Sequence, residues 1–188
     1  QRSAFRPDAR IEEQRAVVIL PRSSGKLIVE LNLDEDGWLV NDVAVESRNK
    51  DVQVRSVSRL AKILRTASGF LTAYHVSDQQ QLQRHSTESF YRNSLAAADH
   101  SAAPLPTPRL LASRYQLRVH DEQADLVLEA GKNTFVLALS KPAESANNGD
   151  YRVNEVTIYE AGSEEVKRLS ALFTSHAMLD IFSQALAS

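Results

Sequence analysis

Apolar and polar residues alternate in several short runs, and this pattern predicts strands at both ends of the chain. In residues 115–120, Tyr115, Leu117 and Val119 alternate with polar neighbours, as in a strand with one buried and one solvated face. Three similar runs follow it, at residues 125–129, 134–139 and 153–159. Gly131 lies between two of these runs and can supply the positive φ of a tight hairpin. The last third of the chain therefore predicts four antiparallel strands.

A long helix is predicted to follow these strands, from residue 164 to residue 187. Ser163 precedes two glutamates, so it can cap free backbone N–H groups while the acids lie at the positive end of the helix dipole. A wide apolar face supports the helix, and its members are Val166, Leu169, Leu172, Phe173, Leu179, Ile181, Phe182 and Leu186.

The first half of the chain repeats the order of strands followed by a helix. Strands are predicted at residues 16–20, 27–33 and 38–45, with an acidic turn at 34–37 between the second and the third. A helix is predicted at residues 56–74 from its apolar stripe. Asp78 can cap a second helix at 79–98, in which apolar positions are sparse.

Together these elements predict an α+β fold. We expect one antiparallel sheet of about six to seven strands in the order βββ-α(α)-ββββ-α, with the helices mainly on one face. Residues 1–14 are predicted to be a flexible arm because they are rich in charged residues and poor in apolar ones. Residues 15–188 are expected to form a single domain, and the three prolines in 100–108 predict a stiff connector within it.

Composition excludes several classes of chemistry. The 188-residue chain contains no cysteine, so disulfides, thiolate catalysis and cysteine metal ligands are excluded. Its net charge of −2 indicates no global attraction to nucleic acid or anionic lipid. No run approaches 18 consecutive apolar residues, so no transmembrane helix is predicted.

Two short motifs resemble ligand-binding loops but lack essential residues. Residues 23–26 end in Gly-Lys, yet the first glycine of a phosphate loop is missing, and the flanking pattern predicts strands. Residues 32–37 match the opening of a calcium loop with Asn32, Asp34 and Asp36, and Asp42 is a fourth candidate ligand. The bidentate glutamate that should follow is replaced by Val43, so we interpret this segment as a hairpin turn. We expect no metal and no cofactor.

The five histidines show no zinc-binding spacing, and no nucleophile, base and orienting group can be assembled into a catalytic site from the sequence. The remaining signal is a local excess of positive charge from residue 48 to residue 65, where six basic residues accompany one acid. The basic residues are Arg48, Lys50, Arg55, Arg59, Lys62 and Arg65. The last four recur every three or four positions and should share one flank of the first helix. The flank is either a solvated helix surface or a docking surface for an acidic partner.

These observations favour a non-catalytic interaction or assembly module of a larger complex. We expect it to dock, with another protein as its partner, through the basic helix face and the N-terminal arm. One alternative is a carrier of a small apolar ligand, with a cavity between the sheet and the C-terminal helix. Another is nucleic-acid binding through the basic helix. An enzyme is not excluded by the sequence.

Overall fold

The computed structural model describes residues 7–23, 25–47, 55–112, 115–142 and 150–174. Their fold is α+β, as predicted, but the strands form two antiparallel sheets instead of one. The chain divides into two compact units, residues 1–62 and residues 63–188. Each sheet is a meander in which consecutive strands pair, and a long helical segment separates β5 from β6 in sequence. Local alternation identifies strands but does not determine which strands share a sheet. The single-domain expectation for residues 15–188 stays a prediction.

The first sheet has five strands in sequential order. They are β1 Asp8–Glu12, β2 Arg15–Arg22, β3 Gly25–Asp34, β4 Gly37–Ser47 and β5 Arg55–Ser56. Part of the segment predicted to be a flexible arm therefore forms β1, which pairs with β2 from Asp8 opposite Ile19 to Glu12 opposite Arg15. The ladder explains why so polar a segment is ordered here: its backbone N–H and C=O groups gain partners on β2.

A group of helices follows the first sheet. The long helix α1 Val57–Val76 corresponds to the helix predicted at 56–74. Asp78 caps α2 Gln79–His85 as predicted, because its Oδ1 accepts the Gln81 N–H at 3.1 Å. The helix predicted at 79–98 is, however, interrupted after α2. The chain resumes as α3 Glu88–Phe90 and continues in a π-helical turn, Tyr91–Leu95.

The interruption at Ser86 and Thr87 has a tertiary cause. Ser86 is extended and forms a parallel bridge with Val153, and the Thr87 N–H donates to the Val153 carbonyl at 2.8 Å. Thr87 then caps α3, since its Oγ1 accepts the Phe90 N–H. The bridge to Val153 and the new cap at Thr87 compete with helix continuation. In the proline-rich connector, residues 104–107 have no regular secondary structure and lie between two 3-10 turns, His100–Ala102 and Pro108–Ala112. Leu105 is buried there.

The second sheet also has five strands, in the spatial order β10-β9-β8-β7-β6. These are β6 Gln116–His120, β7 Gln123–Ala130, β8 Asn133–Ser140, β9 Arg152–Glu160 and β10 Val166–Arg168. The register places buried residues in rows across one face: Leu126 opposite Leu137 opposite Val156, and Leu128 opposite Phe135 opposite Ile158. Helical residues complete the core, among them Ile63, Phe70, Leu71 and Leu82. The strand predicted at residues 134–139 is confirmed as β8, which lies at the centre of this sheet and buries Phe135, Leu137 and Leu139.

The C-terminal helix begins later than predicted. Residues 166–168 form β10, with Val166 opposite Tyr159, and the helix begins at residue 169 and extends at least to residue 174, the last described residue. Ser163 Oγ accepts the Glu165 N–H at 3.1 Å in the turn before β10, so it does not cap the helix. Leu169 and Phe173 are buried in the core of the second unit. The rest of the predicted helix lies outside the described residues.

Candidate binding surfaces

The structure describes the side chains of only some of the six basic residues that were predicted to bind a partner. Arg48 and Lys50 lie outside the described residues. The prediction that Arg55 shares the helix flank is wrong, because Arg55 pairs with Val45 as part of β5 and α1 begins only at Val57. Arg59, Lys62 and Arg65 lie on α1 at spacings of three residues, which places them on one flank as predicted. Arg59 and Lys62 belong to the first compact unit and Arg65 belongs to the second.

These three side chains differ in exposure. The Nη2 atom of Arg59 is buried, so this guanidinium is not a free surface charge. Lys62 is partly buried, and Arg65 is exposed, with its Nη2 atom 3.5 Å from Asp150 Oδ1. An ion pair this long between exposed groups contributes little to folding. Arg65 is therefore the member of the flank that is most available to a ligand.

The N-terminus of α1 is capped by residues of the first unit. Ser56 Oγ accepts the Arg59 N–H at 3.0 Å, and Asp42 Oδ1 accepts the Ser58 N–H at 3.1 Å and the Val43 N–H at 2.7 Å. Burial is the largest influence on the pKa of Asp42 and raises it. The hydrogen bonds from Ser56, Ser58 and Val43 together outweigh burial, so the pKa lies below its ordinary value. Asp42 is thus a capping carboxylate.

The second unit contains a cationic cleft of about 270 Å³. It is lined by Arg65, Thr66, Arg84, His85, Asp150, Tyr151 and Arg152. Helix α1 contributes the first two residues, the end of α2 contributes the next two, and the start of β9 with the residues before it contributes the rest. The Thr66 hydroxyl donates to the Tyr151 carbonyl at 3.0 Å, which ties α1 to the chain entering β9. We refer to these seven residues as the cationic cleft.

His85 is placed in the cleft by a close contact with Gly69 on α1. A Cβ atom at residue 69 would lie 2.3 Å from His85 Nε2, so the imidazole occupies the space that any other side chain would fill. Glycine weakens a helix by roughly 1 kcal/mol relative to alanine. The sequence shows only a weak point in the helix, and the structure shows that the glycine makes room for the ring.

The charged neighbours of His85 are Arg84, Asp150 and Arg152. Burial lowers the pKa of His85 most, the charges of Arg84 and Arg152 lower it further, and Asp150 opposes them. The imidazole is therefore neutral near pH 7. A neutral ring presents one N–H donor and one acceptor to the cleft.

The first sheet has one face that is apolar over most of its first four strands. Residues that pair across the ladders share a face, which places Ile11, Ala16, Leu31 and Val40 in one row and Val18, Val29 and Val43 in the next. The complete set is Ala9, Ile11, Ala16, Val18, Leu20, Leu27, Val29, Leu31, Leu33, Trp38, Val40, Val43 and Val45. We refer to these residues as the apolar face. A bulge at Asn41 keeps Val40 and Val43 on the same side of β4.

Much of the apolar face is exposed. Ile11 is 68% exposed and Val40 is 62% exposed, and Leu33, Trp38 and Val45 are also exposed. Ala16 is the only one of its members that is fully buried. An exposed, contiguous apolar surface of this kind marks interaction sites in proteins.

The two ends of the apolar face carry opposite charge. The turns at one end contain Glu13, Asp34, Glu35 and Asp36. At the other end Arg22 pairs with Gly25, and the β5 residue Arg55 pairs with Val45. The sequence pattern predicts the alternation in each strand, but the charge polarity of the face emerges only when the strands are placed side by side.

The acidic turn predicted at residues 34–37 is confirmed as a hairpin turn. Asp34 Oδ1 accepts the N–H groups of Asp36 and Gly37 at 2.9 and 3.1 Å, and Gly37 has a φ of 126°. The Asp34 carboxylate is therefore used within the turn, and the fourth candidate calcium ligand, Asp42, caps α1 instead. Across the described part of the chain, no three His, Cys, Asp or Glu side chains are grouped as a metal site would require.

His100 is a core residue of the second unit. It stacks on Tyr74 with ring centroids 4.6 Å apart, and its two ring nitrogens lie 3.3 Å from Ser77 Oγ and from the Leu95 carbonyl. The Tyr74 hydroxyl donates to the Ala103 carbonyl at 2.7 Å, and burial, aided by the Asp99 charge, raises the pKa of Tyr74. These groups hold the segment after the π-helical turn against α1.

Of the helices that the structure describes, none has the length and apolar character to span a membrane.

No protein-family model matches the chain, and no curated protein or solved structure is detectably similar to it.

Proposed function

We propose that this chain is a non-catalytic assembly module that pairs with a second copy of itself through the apolar face of its first sheet. The observation that carries the proposal is the exposure of large side chains on one continuous sheet face. Water contact with this face is unfavourable, at about 25 cal/mol for each Å² of apolar surface. Stacking a second sheet on it removes that contact, as in face-to-face sheet packing at a spacing of ~10 Å.

The charge distribution favours a second copy of the chain as the partner that covers the apolar face. A two-fold axis that lies between two stacked sheets and runs across their strands places the acidic end of one copy over the basic end of the other. Glu13 and Arg22 then approach each other twice, once at each end of the interface. Such isologous pairing is the commonest form of soluble oligomer, and the opposed charges set its orientation.

The proposal is tested by two neighbouring lysine substitutions. Val40→Lys places a charge on the apolar face, whereas Leu39→Lys makes a similar change at a 56% exposed residue on the opposite side of the same strand. We expect the wild-type chain to sediment as a dimer and Val40→Lys to sediment as a monomer at the same concentration. Leu39→Lys should remain dimeric. A wild-type monomer at high micromolar concentration, or equal effects of the two substitutions, would contradict the proposal.

Fluorescence gives a second readout. Trp38 is the only tryptophan of the chain and lies on the apolar face. Its emission should shift to shorter wavelength as the concentration rises through the dimer dissociation constant, and Val40→Lys should remove this shift.

Charge reversal then tests the orientation of the two copies. Arg22→Glu or Glu13→Lys alone should weaken the dimer, and the double variant should recover most of the loss. An additive double variant would exclude the crossed arrangement.

A second candidate function is the docking of an acidic protein partner through the basic flank of α1. The observation that favours it is the placement of Lys62 and the exposed Arg65 three residues apart on one flank of this helix. Because the Arg59 guanidinium is partly buried, Lys62→Glu is a better test than a change at Arg59. It should slow association and reduce its dependence on salt. A linear fall of log affinity with log salt would instead indicate a nucleic-acid backbone.

The predicted carrier of an apolar ligand stays a prediction. Most of the C-terminal helix that would enclose its cavity lies outside the described residues.

A further inference from the structure

We infer that the cationic cleft of the second unit binds a doubly charged oxyanion, the phosphoryl group of a phosphate monoester or inorganic phosphate. Three arginines, Arg65, Arg84 and Arg152, and one carboxylate, Asp150, line a cleft of about 270 Å³. With His85 neutral, the cleft has an excess of two positive charges. A phosphate monoester carries a charge of about −1.5 to −2 at pH 7 and offers three acceptor oxygens, so it balances this excess.

The arginines are poorly satisfied by the protein itself. Arg65 is exposed and only loosely paired with Asp150 at 3.5 Å. Within the described ranges, neither Arg84 nor Arg152 forms an ion pair with a carboxylate. Guanidinium groups bind oxyanions in a bidentate manner, and hydrogen bonds between two charged groups are about twice as strong as neutral ones. An incoming dianion therefore gains three charged donors and displaces only one weak contact.

The size of the cleft matches a small anionic group. Its volume lies below the ~300–1,000 Å³ typical of sites for drug-sized ligands. The wall behind the arginines is rigid, because Thr66 is hydrogen-bonded to the Tyr151 carbonyl and Tyr151 is buried. His85 lines the same space, and its contact with Gly69 fixes the position of the ring against α1. The cleft thus combines a hydrogen-bonded wall with two exposed arginines, Arg65 and Arg84.

Calorimetric titration of the full chain with inorganic phosphate, O-phosphoserine, sulfate and chloride tests the inference. We expect a single saturable site for the first three anions and none for chloride. Arg84→Gln and Arg152→Gln should each weaken phosphate binding about ten- to a hundredfold, the usual effect of losing a charged hydrogen bond. Arg118→Gln is the matched control, since Arg118 is an exposed arginine of the same unit on β6, outside the cleft. Its affinity should stay within twofold of wild type.

Comparison of the ligands distinguishes the source of the phosphoryl group. Tighter binding of O-phosphoserine than of inorganic phosphate indicates a phosphorylated molecule, and the reverse indicates the free ion. Absence of saturable heat with every anion at 10 mM ligand (about 2.7 kcal/mol of binding free energy) would overturn the inference. Equal weakening by Arg118→Gln and Arg84→Gln would overturn it as well, because that result indicates general charge screening. Val40→Lys should bind phosphate normally, so the result is independent of dimer formation.

Sulfate provides a test of the histidine. Sulfate remains a dianion across pH 5 to 8, so any change in its affinity reports on the protein. The charged groups that line the cleft with His85 are Arg65, Arg84, Asp150 and Arg152. His85 gains a charge as the pH falls through its lowered pKa. Sulfate should therefore bind more tightly below the ordinary histidine pKa of 6.5 than at pH 8. His85→Gln should flatten this dependence, and an unchanged pH profile in His85→Gln would contradict a role for the ring.

Discussion

The two sheets have the same number of strands and the same meander order, yet they bury very different amounts of apolar surface. Across the second sheet, residues such as Leu126, Leu137 and Val156 are fully enclosed by helices. The first sheet fully buries only Ala16 and Ala44 among its described residues. Hydrophobic patterning alone therefore does not determine burial. The second sheet is stabilised by its own core, whereas the first leaves much of its apolar face exposed.

The largest expected effect is a difference in lost stability between the two sheets, measured with one leucine-to-alanine substitution in each. Leu137→Ala removes a side chain with 0% exposure and should destabilise the second unit by about 2–5 kcal/mol. Leu33→Ala makes the same chemical change at a residue that is 39% exposed and should cost less than about 1 kcal/mol in the monomer. Hydrogen exchange of amides in β8 and β3 during denaturant titration measures the free energy of unfolding of each unit separately. Equal losses at the two positions would remove the contrast between the sheets.

Alternation and turn residues were sufficient to predict most strands but not their assembly. The predicted strand at 134–139 and the hairpin at Gly131 correspond to β8 and the turn before it. The short strands β5 and β10 were missed, because two or three residues carry no recognisable period. The break at Ser86 was also missed, since its cause is the bridge to Val153, a residue distant in sequence.

The candidate sites show the same limit. The basic residues of α1 were visible because helical spacing is local. The cationic cleft draws Arg65, Arg84 and Arg152 from segments far apart in the chain, so no window of sequence contains it. Arg59 illustrates the converse error: its spacing predicts an exposed charge, but packing at the start of α1 buries part of its guanidinium.

An intermediate effect is expected where the first sheet depends on polar contacts. Asp42→Asn weakens the hydrogen bonds to Ser58 and Val43 and should destabilise the first unit by about 1 kcal/mol, as the loss of a helix cap does. Because the pKa of Asp42 is lowered in the folded state, its contribution is present above its ordinary value of 3.8 and is lost as the pH falls through the lower folded pKa. Melts followed by Trp38 fluorescence should therefore show a smaller difference between wild type and Asp42→Asn at pH 2 than at pH 6. A difference that does not depend on pH would show that the carboxylate charge is not involved.

The smallest effect concerns the close contact between Gly69 and His85 in the second unit. Alanine favours a helix by about 1 kcal/mol over glycine, so Gly69→Ala would be stabilising if helix propensity acted alone. In the wild-type chain the new Cβ atom would lie 2.3 Å from His85 Nε2, so the ring must shift away from α1. In the wild-type background we expect the gain in helix propensity and the cost of displacing the His85 ring to cancel nearly completely. In a His85→Ala background, Gly69→Ala should stabilise the second unit by about 1 kcal/mol. The difference between these two values is the coupling energy between the residues. It is measured by denaturant melts of the four variants, and a coupling near zero would mean that the imidazole leaves its place on α1 at no cost. The second unit would then be less tightly packed at the cleft than in its core, and the contrast with the first sheet would apply to the core alone.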